Sequence, residues 1–206
     1  MRKYFALMAC ALFVSVQAWA ASAETDPRGP VEPLMAARDV FYVDVQRFQG
    51  GELTETQLVD RIAEQFAPLV DQDKMALRVM GRHARSATAE ERAQFTVQMQ
   101  ASLVDAYARG LAGYGGEILT LPESATILAP GRAVVEARLE APRREPLTIQ
   151  FALSYETAQG WKVENVVVAG INLGISLRNQ FDDLVKQTGS VAGAVDSWTL
   201  DVVRSQ

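Results

Sequence analysis

The side chains that most often perform catalysis or bind metals are scarce in this sequence. It contains a single histidine, His83, and a single cysteine, Cys10. A Ser-His-Asp or Cys-His site would have to use His83, whose neighbours Arg82 and Arg85 oppose the imidazolium that a general base forms. We therefore interpret His83 as a surface or interhelical residue. A zinc site usually needs three or four His or Cys ligands, so we expect neither a metal nor a cofactor.

The sequence also lacks the spacing or the neighbouring residues of two other motifs, the serine-nucleophile motif and the phosphate-binding loop. No serine lies in a G-x-S-x-G motif. The glycines of Gly113-Tyr114-Gly115-Gly116 lack the Lys-Ser/Thr of a phosphate-binding loop and are typical of a turn that ends a helix. Tyr107 with a buried acid is the only candidate pair for a small pocket enzyme. We predict no catalytic residue, with that enzyme class as an alternative.

The length and the net charge of the chain limit its number of domains and the kinds of partner it can bind. The chain has 206 residues, of which 49% are hydrophobic and 22% are charged, and its net charge is −5. This length suits one domain or a tight pair of subdomains, and it can bury a substantial core. The excess of acidic over basic residues argues against a nucleic-acid-binding surface, because such a surface must attract phosphates.

The first residues have the pattern of a secretory signal. Arg2 and Lys3 precede a short apolar run over residues 5–16, and small residues follow at Ala18-Trp19-Ala20 and Ala21-Ser22-Ala23. The run is shorter than the ~20 residues that a membrane-spanning helix needs. We predict a signal peptide over residues 1–20 or 1–23 and a single exported domain over residues 24–206. Cleavage would remove Cys10, so the mature protein would have no disulfide.

Apolar residues recur at helical spacing from residue 33 to about residue 112. The spacing predicts a first helix over 33–48 and a third helix that Asp71 caps and that runs through Met80. Thr54-Glu55-Thr56-Gln57 and Thr88-Ala89-Glu90-Glu91 have the sequence of capping boxes, so each predicts the start of a helix. The longest helix, about 89–112, carries one apolar stripe made of Phe95, Met99, Leu103, Tyr107 and Leu111.

From residue 117 the apolar residues alternate with polar ones, as in strands. We predict strands over 117–121, 133–141, 147–156 and 161–169, then helices over 175–187 and about 190–203. The clean alternation of the third strand is typical of a half-buried antiparallel sheet. Helices followed by a sheet and further helices predict one α+β domain.

Apolar residues of the sheet region are expected to lie beneath the longest helix. The candidates from the sheet region are Ile149, Phe151, Leu153, Val166, Val168, Ile171 and Leu173, and those from the helix are Phe95, Met99, Leu103 and Tyr107. From the pattern alone, an ordinary packed core accounts for them better than a ligand cavity does, and the cavity stays open as the alternative.

Two stretches resemble signature segments of the MlaC family, which are periplasmic phospholipid-binding shuttles also known as toluene-tolerance proteins. The first is GWKVENVVVAGINL at residues 160–173, followed by Arg178, Gln180 and Phe181 at the family's Arg-x-Gln-Phe ending. The second is MGRHARSAT at residues 80–88 with ERAQF at residues 91–95. Taken together, the two stretches are fairly specific, and the likeness extends over essentially the whole chain after the signal.

The resemblance implies a fold and a function. The fold is a twisted four-stranded antiparallel sheet wrapped by about six helices around an apolar lipid cavity. The apolar candidates named above would bind the lipid, a phospholipid with two acyl chains. The location would be the periplasm. The implied partners are an outer-membrane lipoprotein–porin complex and an inner-membrane ABC transporter with a ring-forming lipid-binding subunit.

Three departures from the family pattern remove aromatic side chains. Ala84 stands where the family commonly has Trp, Ser176-Leu177 replaces Asn-Tyr, and Val70-Asp71-Gln72 replaces Phe-Asp-Phe. A different cavity shape or lipid preference would follow, and a hopanoid is the nearest rival ligand. A ligand-free periplasmic adaptor is a further alternative, and a closed core without a pocket would indicate it.

Overall fold

The computed structural model describes residues 25–112, 116–142 and 144–199, with only the backbone for residues 107–112. The α-helices of this part of the chain are α1 (Glu32–Gln49), α2 (Glu55–Phe66), α3 (Gln72–Met80), α4 (Ala89–Ala112), α5 (Leu173–Thr188) and α6 (Val191–Asp196). Short 3₁₀ turns over Ala67–Leu69 and Gly81–Arg85 join α2 to α3 and α3 to α4. The predicted signal peptide and Arg143 lie outside the described residues.

Capping side chains set the starts of the early helices, as predicted. The Gln57 amide donates to Thr54 Oγ1 at 3.2 Å, and the Thr54 amide donates to Gln57 Oε1 at 2.9 Å. Thr88 and Glu91 make the same reciprocal pair at the start of α4. Asp71 accepts from the Lys74 amide at the start of α3. Each bond satisfies an amide that the first helical turn leaves without a partner.

Two C-terminal helices differ from their predicted bounds. α5 begins at Leu173 because the side chain of Asn172 caps it by accepting from the Ile175 amide. α6 ends at Asp196, although the predicted helix runs to about residue 203. The chain leaves the helix at Ser197, and Trp198 is buried against the neighbouring helices.

Six strands form one antiparallel sheet in the described chain. They are β1 (Ile118–Thr120), β2 (Thr126–Ala129), β3 (Arg132–Glu140), β4 (Leu147–Glu156), β5 (Gly160–Val168) and β6 (Ile171–Asn172). The order across the sheet is β1-β3-β4-β5-β6, and β2 pairs with the other end of β3. The α+β class with an antiparallel sheet is confirmed. The prediction of four strands missed β2 and β6, which at four and two residues are too short for alternation to reveal.

Within the described ranges, most of the buried hydrophobic residues belong to two separate cores. One lies among α3, α4, α5 and α6, where the ring of Phe95 lies 4.6 Å from that of Phe181 and 5.0 Å from that of Trp198. The other lies between the start of α1 and the sheet, where Val31 and Leu34 pack with residues of β3, β4 and β5. None of the described helices has the length and apolarity needed to cross a membrane.

Candidate functional site: an apolar cavity with a charged mouth

A cavity of about 700 Å³ opens between the two cores. On the helical side it is bordered by apolar residues of α2, α3, α4 and α5, among them Ile62, Val79, Met99, Leu103 and Leu177. On the sheet side it is bordered by Phe151, Val163 and Val166. This volume lies within the range of about 300–1,000 Å³ that small-molecule sites occupy.

The cavity has a buried end and an exposed end. Leu34, Ile62, Val79 and Met99 border it and are each at most 6% exposed. Phe66 also borders it, yet 44% of its surface is exposed. Arg78, Arg132 and Arg178 border the cavity and are exposed as well. We call this end the mouth.

A β-bulge in β5 shapes the edge of the mouth. Val163 pairs with Leu153 and Asn165 pairs with Ala152, which leaves Glu164 as an extra residue between two consecutive pairs. The other edge of β5, which faces away from β4, has two partners. Val163 makes a parallel bridge to Val70, and Val167 and Val168 pair with β6, so the bulge lies between these two pairings. Glu164 and Asn165 both border the cavity at this point.

Glu164 connects the bulge to two arginines. Arg78 on α3 donates to Glu164 Oε1 at 2.5 Å, and the guanidinium of Arg132 lies 3.8 Å from Oε2. Partial burial opposes ionisation of Glu164, but hydrogen bonds from Arg78 and Ser154 and the positive charges of Arg78 and Arg132 outweigh it. The pKa of the Glu164 carboxyl is therefore lower than its usual value, and the group is ionised at neutral pH.

Arg178 is the third arginine that borders the cavity. It lies on α5, and its aliphatic stem packs against Gly81 at the end of α3, where an added Cβ would lie 3.0 Å from Arg178 Cδ. Gly81 has a φ of +55°, in the region that favours glycine, so it ends α3 and also leaves room for this side chain.

The comparisons with known proteins agree with this architecture. The family model described as MlaC protein matches residues 44–199. The chain belongs to the MlaC family. The toluene tolerance protein Ttg2D of Pseudomonas putida is 28% identical to it over 149 residues, which are 71% of this chain and 68% of that protein.

A solved structure shares the fold of this MlaC-family chain. It is the phospholipid-binding protein from Ralstonia solanacearum in complex with a phospholipid, with a TM-score of 0.61 and 23% sequence identity. The match covers 84% of this chain and 94% of the Ralstonia chain.

Five of the residues predicted to bind lipid border the cavity of this MlaC-family protein: Met99, Leu103, Phe151, Val166 and Leu173. In the register of the sheet, Phe151 of β4 pairs with Val166 of β5. Leu173 lies in the first turn of α5, and not on the sheet as expected, because Asn172 starts the helix there. The role of these residues in lipid binding stays a prediction.

The other predicted residues lie elsewhere. Phe95 is fully buried in the helical core, and Leu153 belongs to the core of the sheet and α1. Ile149 and Val168 pair with each other but do not border the cavity. Ile171, in the short hairpin after β5, is 55% exposed instead of facing the helices. The side chain of Tyr107 is outside the described part of the structure.

The residues predicted to bind lipid include none from α2 or α3, although both helices border the cavity. Ile62 and Phe66 border the cavity from α2, and Met75, Arg78 and Val79 border it from α3. The signal for α2 was present, because Leu58, Ile62, Phe66 and Leu69 recur at helical spacing. Periodicity identifies such a face but does not say which surface lies opposite.

We predicted His83 either at the surface or between helices, and its side chain lies between the 3₁₀ turn after α3 and helix α5. Its Nε2 lies 2.7 Å from Asp182 Oδ1 on α5, and Arg82 contacts the same carboxylate. Neither His83 nor Asp182 borders the cavity. Among the described residues, no group of three His, Cys, Asp or Glu side chains is arranged to hold a metal ion.

Proposed function

We propose that this MlaC-family protein is a periplasmic carrier that holds a phospholipid with its acyl chains in the cavity. The observation that carries the proposal is the cavity itself, which combines a buried apolar end with an exposed, charged mouth. Such a gradient suits a molecule with apolar tails and a polar head. The relatives support this assignment, since one is a phospholipid-binding protein in complex with its ligand and another is a toluene tolerance protein.

The physical task explains why binding alone suffices. Two sixteen-carbon tails contain about 30 methylene groups, and each costs about 0.8 kcal/mol to expose to water. A free phospholipid therefore crosses an aqueous compartment too slowly to be useful. Apolar walls that replace the bilayer around the tails remove most of that cost, and no catalytic group is required.

We further propose that the carrier exchanges lipid with both membranes. Its partners would be an outer-membrane lipoprotein–porin complex and an inner-membrane ABC transporter with a ring-forming subunit. The predicted signal peptide supports export to the periplasm. The net charge of −5 favours release from anionic membrane surfaces, which a shuttle needs after each exchange.

The cavity argues against a ligand-free adaptor, because such a protein has no need for an apolar space of about 700 Å³. A hopanoid would also fit an apolar cavity, so identification of the bound lipid distinguishes the two ligands.

A vesicle transfer assay tests the proposal. Lipid-free protein is mixed with donor vesicles that contain a self-quenched, tail-labelled phosphatidylethanolamine and with unlabelled acceptor vesicles. We expect the protein to speed the transfer, and Leu103→Glu to abolish this effect, because a carboxylate in the cavity would be buried against acyl chains. Val97→Glu is the matched control, since Val97 lies on the same helix but is 67% exposed and outside the cavity.

Circular dichroism spectra of both variants establish that they fold. A folded Leu103→Glu protein that transfers lipid as fast as the wild type would contradict the assignment of the cavity as the lipid site. Wild-type protein that neither takes up nor transfers the labelled lipid, with the membrane partners present, would contradict the carrier function.

A further inference from the structure

The charge of the mouth is opposite to that of the whole protein. The chain has a net charge of −5, but the described charged residues that border the cavity are three arginines and one glutamate. These four residues, Arg78, Arg132, Arg178 and Glu164, carry a net charge of +2. A local excess of positive charge at the open end of an apolar cavity favours an anion there.

Glu164 does not neutralise the three arginines equally. Arg78 is committed to it, with one bond to the carboxylate and a second, at 3.4 Å, to the Glu164 carbonyl oxygen. Arg132 is held only loosely, because its guanidinium lies 3.8 Å from the carboxylate and its side chain is 68% exposed. Arg132 therefore keeps donors available for a ligand.

Arg178 is the arginine with the most free donors. Its guanidinium makes no ion pair or hydrogen bond to any residue within the described ranges, whereas its stem is held against Gly81. The side chain is thus positioned without being neutralised. A guanidinium presents several N–H donors in a planar fork that matches two oxygens of a phosphate group.

We propose that Arg178, assisted by Arg132, binds the phosphate group of the lipid at the mouth of the cavity. This inference rests on the proposed function and adds the chemical group by which the ligand is selected. Acyl chains in the buried end would leave the headgroup at the mouth, where both arginines border the opening. Lipids without a phosphate, such as diacylglycerol or a hopanoid, would lack this contact.

The test compares two lipids with identical tails. Lipid-free protein is incubated with vesicles that contain either phosphatidylglycerol or diacylglycerol, and the bound lipid is measured by native mass spectrometry. We expect Arg178→Gln to lower phosphatidylglycerol loading about tenfold, the loss of one charge-assisted contact, and to leave diacylglycerol loading unchanged. Arg178→Lys should restore part of the loading, because it keeps the charge but loses the planar fork.

Arg138→Gln is the matched control, because Arg138 is an exposed arginine of β3 that pairs with Glu140 and does not border the cavity. Its loading of both lipids should equal that of the wild type. Wild-type loading of phosphatidylglycerol by a folded Arg178→Gln variant would overturn the inference and leave the carrier function intact. Failure of the wild type to load either lipid would instead overturn the proposed function.

Inorganic phosphate separates the lipid headgroup from free phosphate as the source of the anion. We expect it to compete poorly with phosphatidylglycerol, since it has no tails to occupy the apolar end. Tight binding of inorganic phosphate to the lipid-free protein, lost in Arg178→Gln, would overturn the headgroup assignment in favour of a phosphate-ion site.

Discussion

The side-chain oxygen of Asn165 accepts a hydrogen bond from the backbone amide of Gly174 at 3.0 Å. The Asn165 amide group donates to Asn172 Oδ1, also at 3.0 Å, and that oxygen accepts from the Ile175 amide. Through these bonds, the bulged edge of β5 is tied to the first turn of α5. Asn165, Asn172 and Gly174 all border the cavity, so the network fixes one side of its mouth.

Gly174→Ala tests this network. A Cβ at position 174 would lie 2.6 Å from Asn165 Oδ1, so the substitution must displace either the asparagine or the helix. We expect the free energy of unfolding to fall by about 1–3 kcal/mol, the cost of leaving a half-buried polar group without its partner. Urea denaturation measures the change. Gly50→Ala is the control, because Gly50 has a φ of −77° and the nearest atom to its added Cβ is at 3.4 Å. Equal losses in the two variants would contradict the role of the Asn165–Gly174 contact.

Phe95 and Leu103 lie on one stripe of α4 but in different surroundings. Alanine substitutions at the two positions should therefore lower the stability of the protein by different amounts. Phe95 is fully buried among aromatic rings, so Phe95→Ala should cost about 3–5 kcal/mol of stability. Leu103 is half-buried and borders existing empty space, so Leu103→Ala should cost less than about 2 kcal/mol. Chemical denaturation of the lipid-free proteins measures both values. The reverse order would mean that the cavity and the helical core are misassigned.

The carboxyl group of Asp182 is expected to make the folding stability of the protein fall at acidic pH. Hydrogen bonds from His83, Lys186 and Arg82 outweigh partial burial and hold the pKa of Asp182 well below its ordinary value of 3.8. A carboxylate with a lowered pKa stabilises the fold above its unfolded pKa, and this contribution is lost as the pH falls through the folded pKa. We therefore expect wild-type protein to lose more stability below about pH 4 than Asp182→Asn does.

Melting temperatures measured between about pH 2 and pH 7 test this expectation. Asp183→Asn is the control, since Asp183 is 60% exposed and pairs only with Lys186 among the described residues. Parallel pH profiles for wild type and Asp182→Asn would show that the Asp182 cluster does not contribute to acid sensitivity.

Asp44 is a fully buried carboxylate that joins α1 to α2. Arg61 and Gln65 each donate to it at 2.8 Å, and Arg47 lies 3.6 Å away. Asp44→Ala should lower the free energy of unfolding by about 1.5–3 kcal/mol, the range for a hydrogen bond to a charged group. Asp39→Ala serves as the control, because Asp39 is 63% exposed and, within the part of the chain that the structure describes, pairs only with its neighbour Arg38. A calorimetric melting temperature that is the same in both variants would contradict this role.

Local structure could be predicted from the sequence because its signals are local. The capping boxes at Thr54 and Thr88 fix where α2 and α4 begin, and the alternation after Leu147 defines β4. The bulge has a local signal as well. Glu164 and Asn165 are consecutive polar residues that interrupt the alternation of Trp161, Lys162 and Val163, which is typical of an inserted residue.

The cavity could not be predicted from the spacing of apolar residues. That spacing shows which face of a helix is apolar, but it does not show what packs against that face. Phe95, Met99 and Leu103 follow one another on the stripe of α4, and all three contact the helical core. Met99 and Leu103 also border the cavity, whereas Phe95 does not. Which of them borders the cavity depends on where α2 and α3 pack. That arrangement is set by long-range contacts, such as the one between Arg78 and Glu164, which are 86 positions apart.

The cavity is proposed to hold a phospholipid. Native mass spectrometry of the protein purified from the exported fraction, with organic extraction of the same sample, identifies the bound molecule. We expect one added mass that matches a two-tailed phospholipid, and its absence from Leu103→Glu. A hopanoid in the extract, or protein that is free of lipid and takes none from vesicles with its membrane partners present, would contradict the claim.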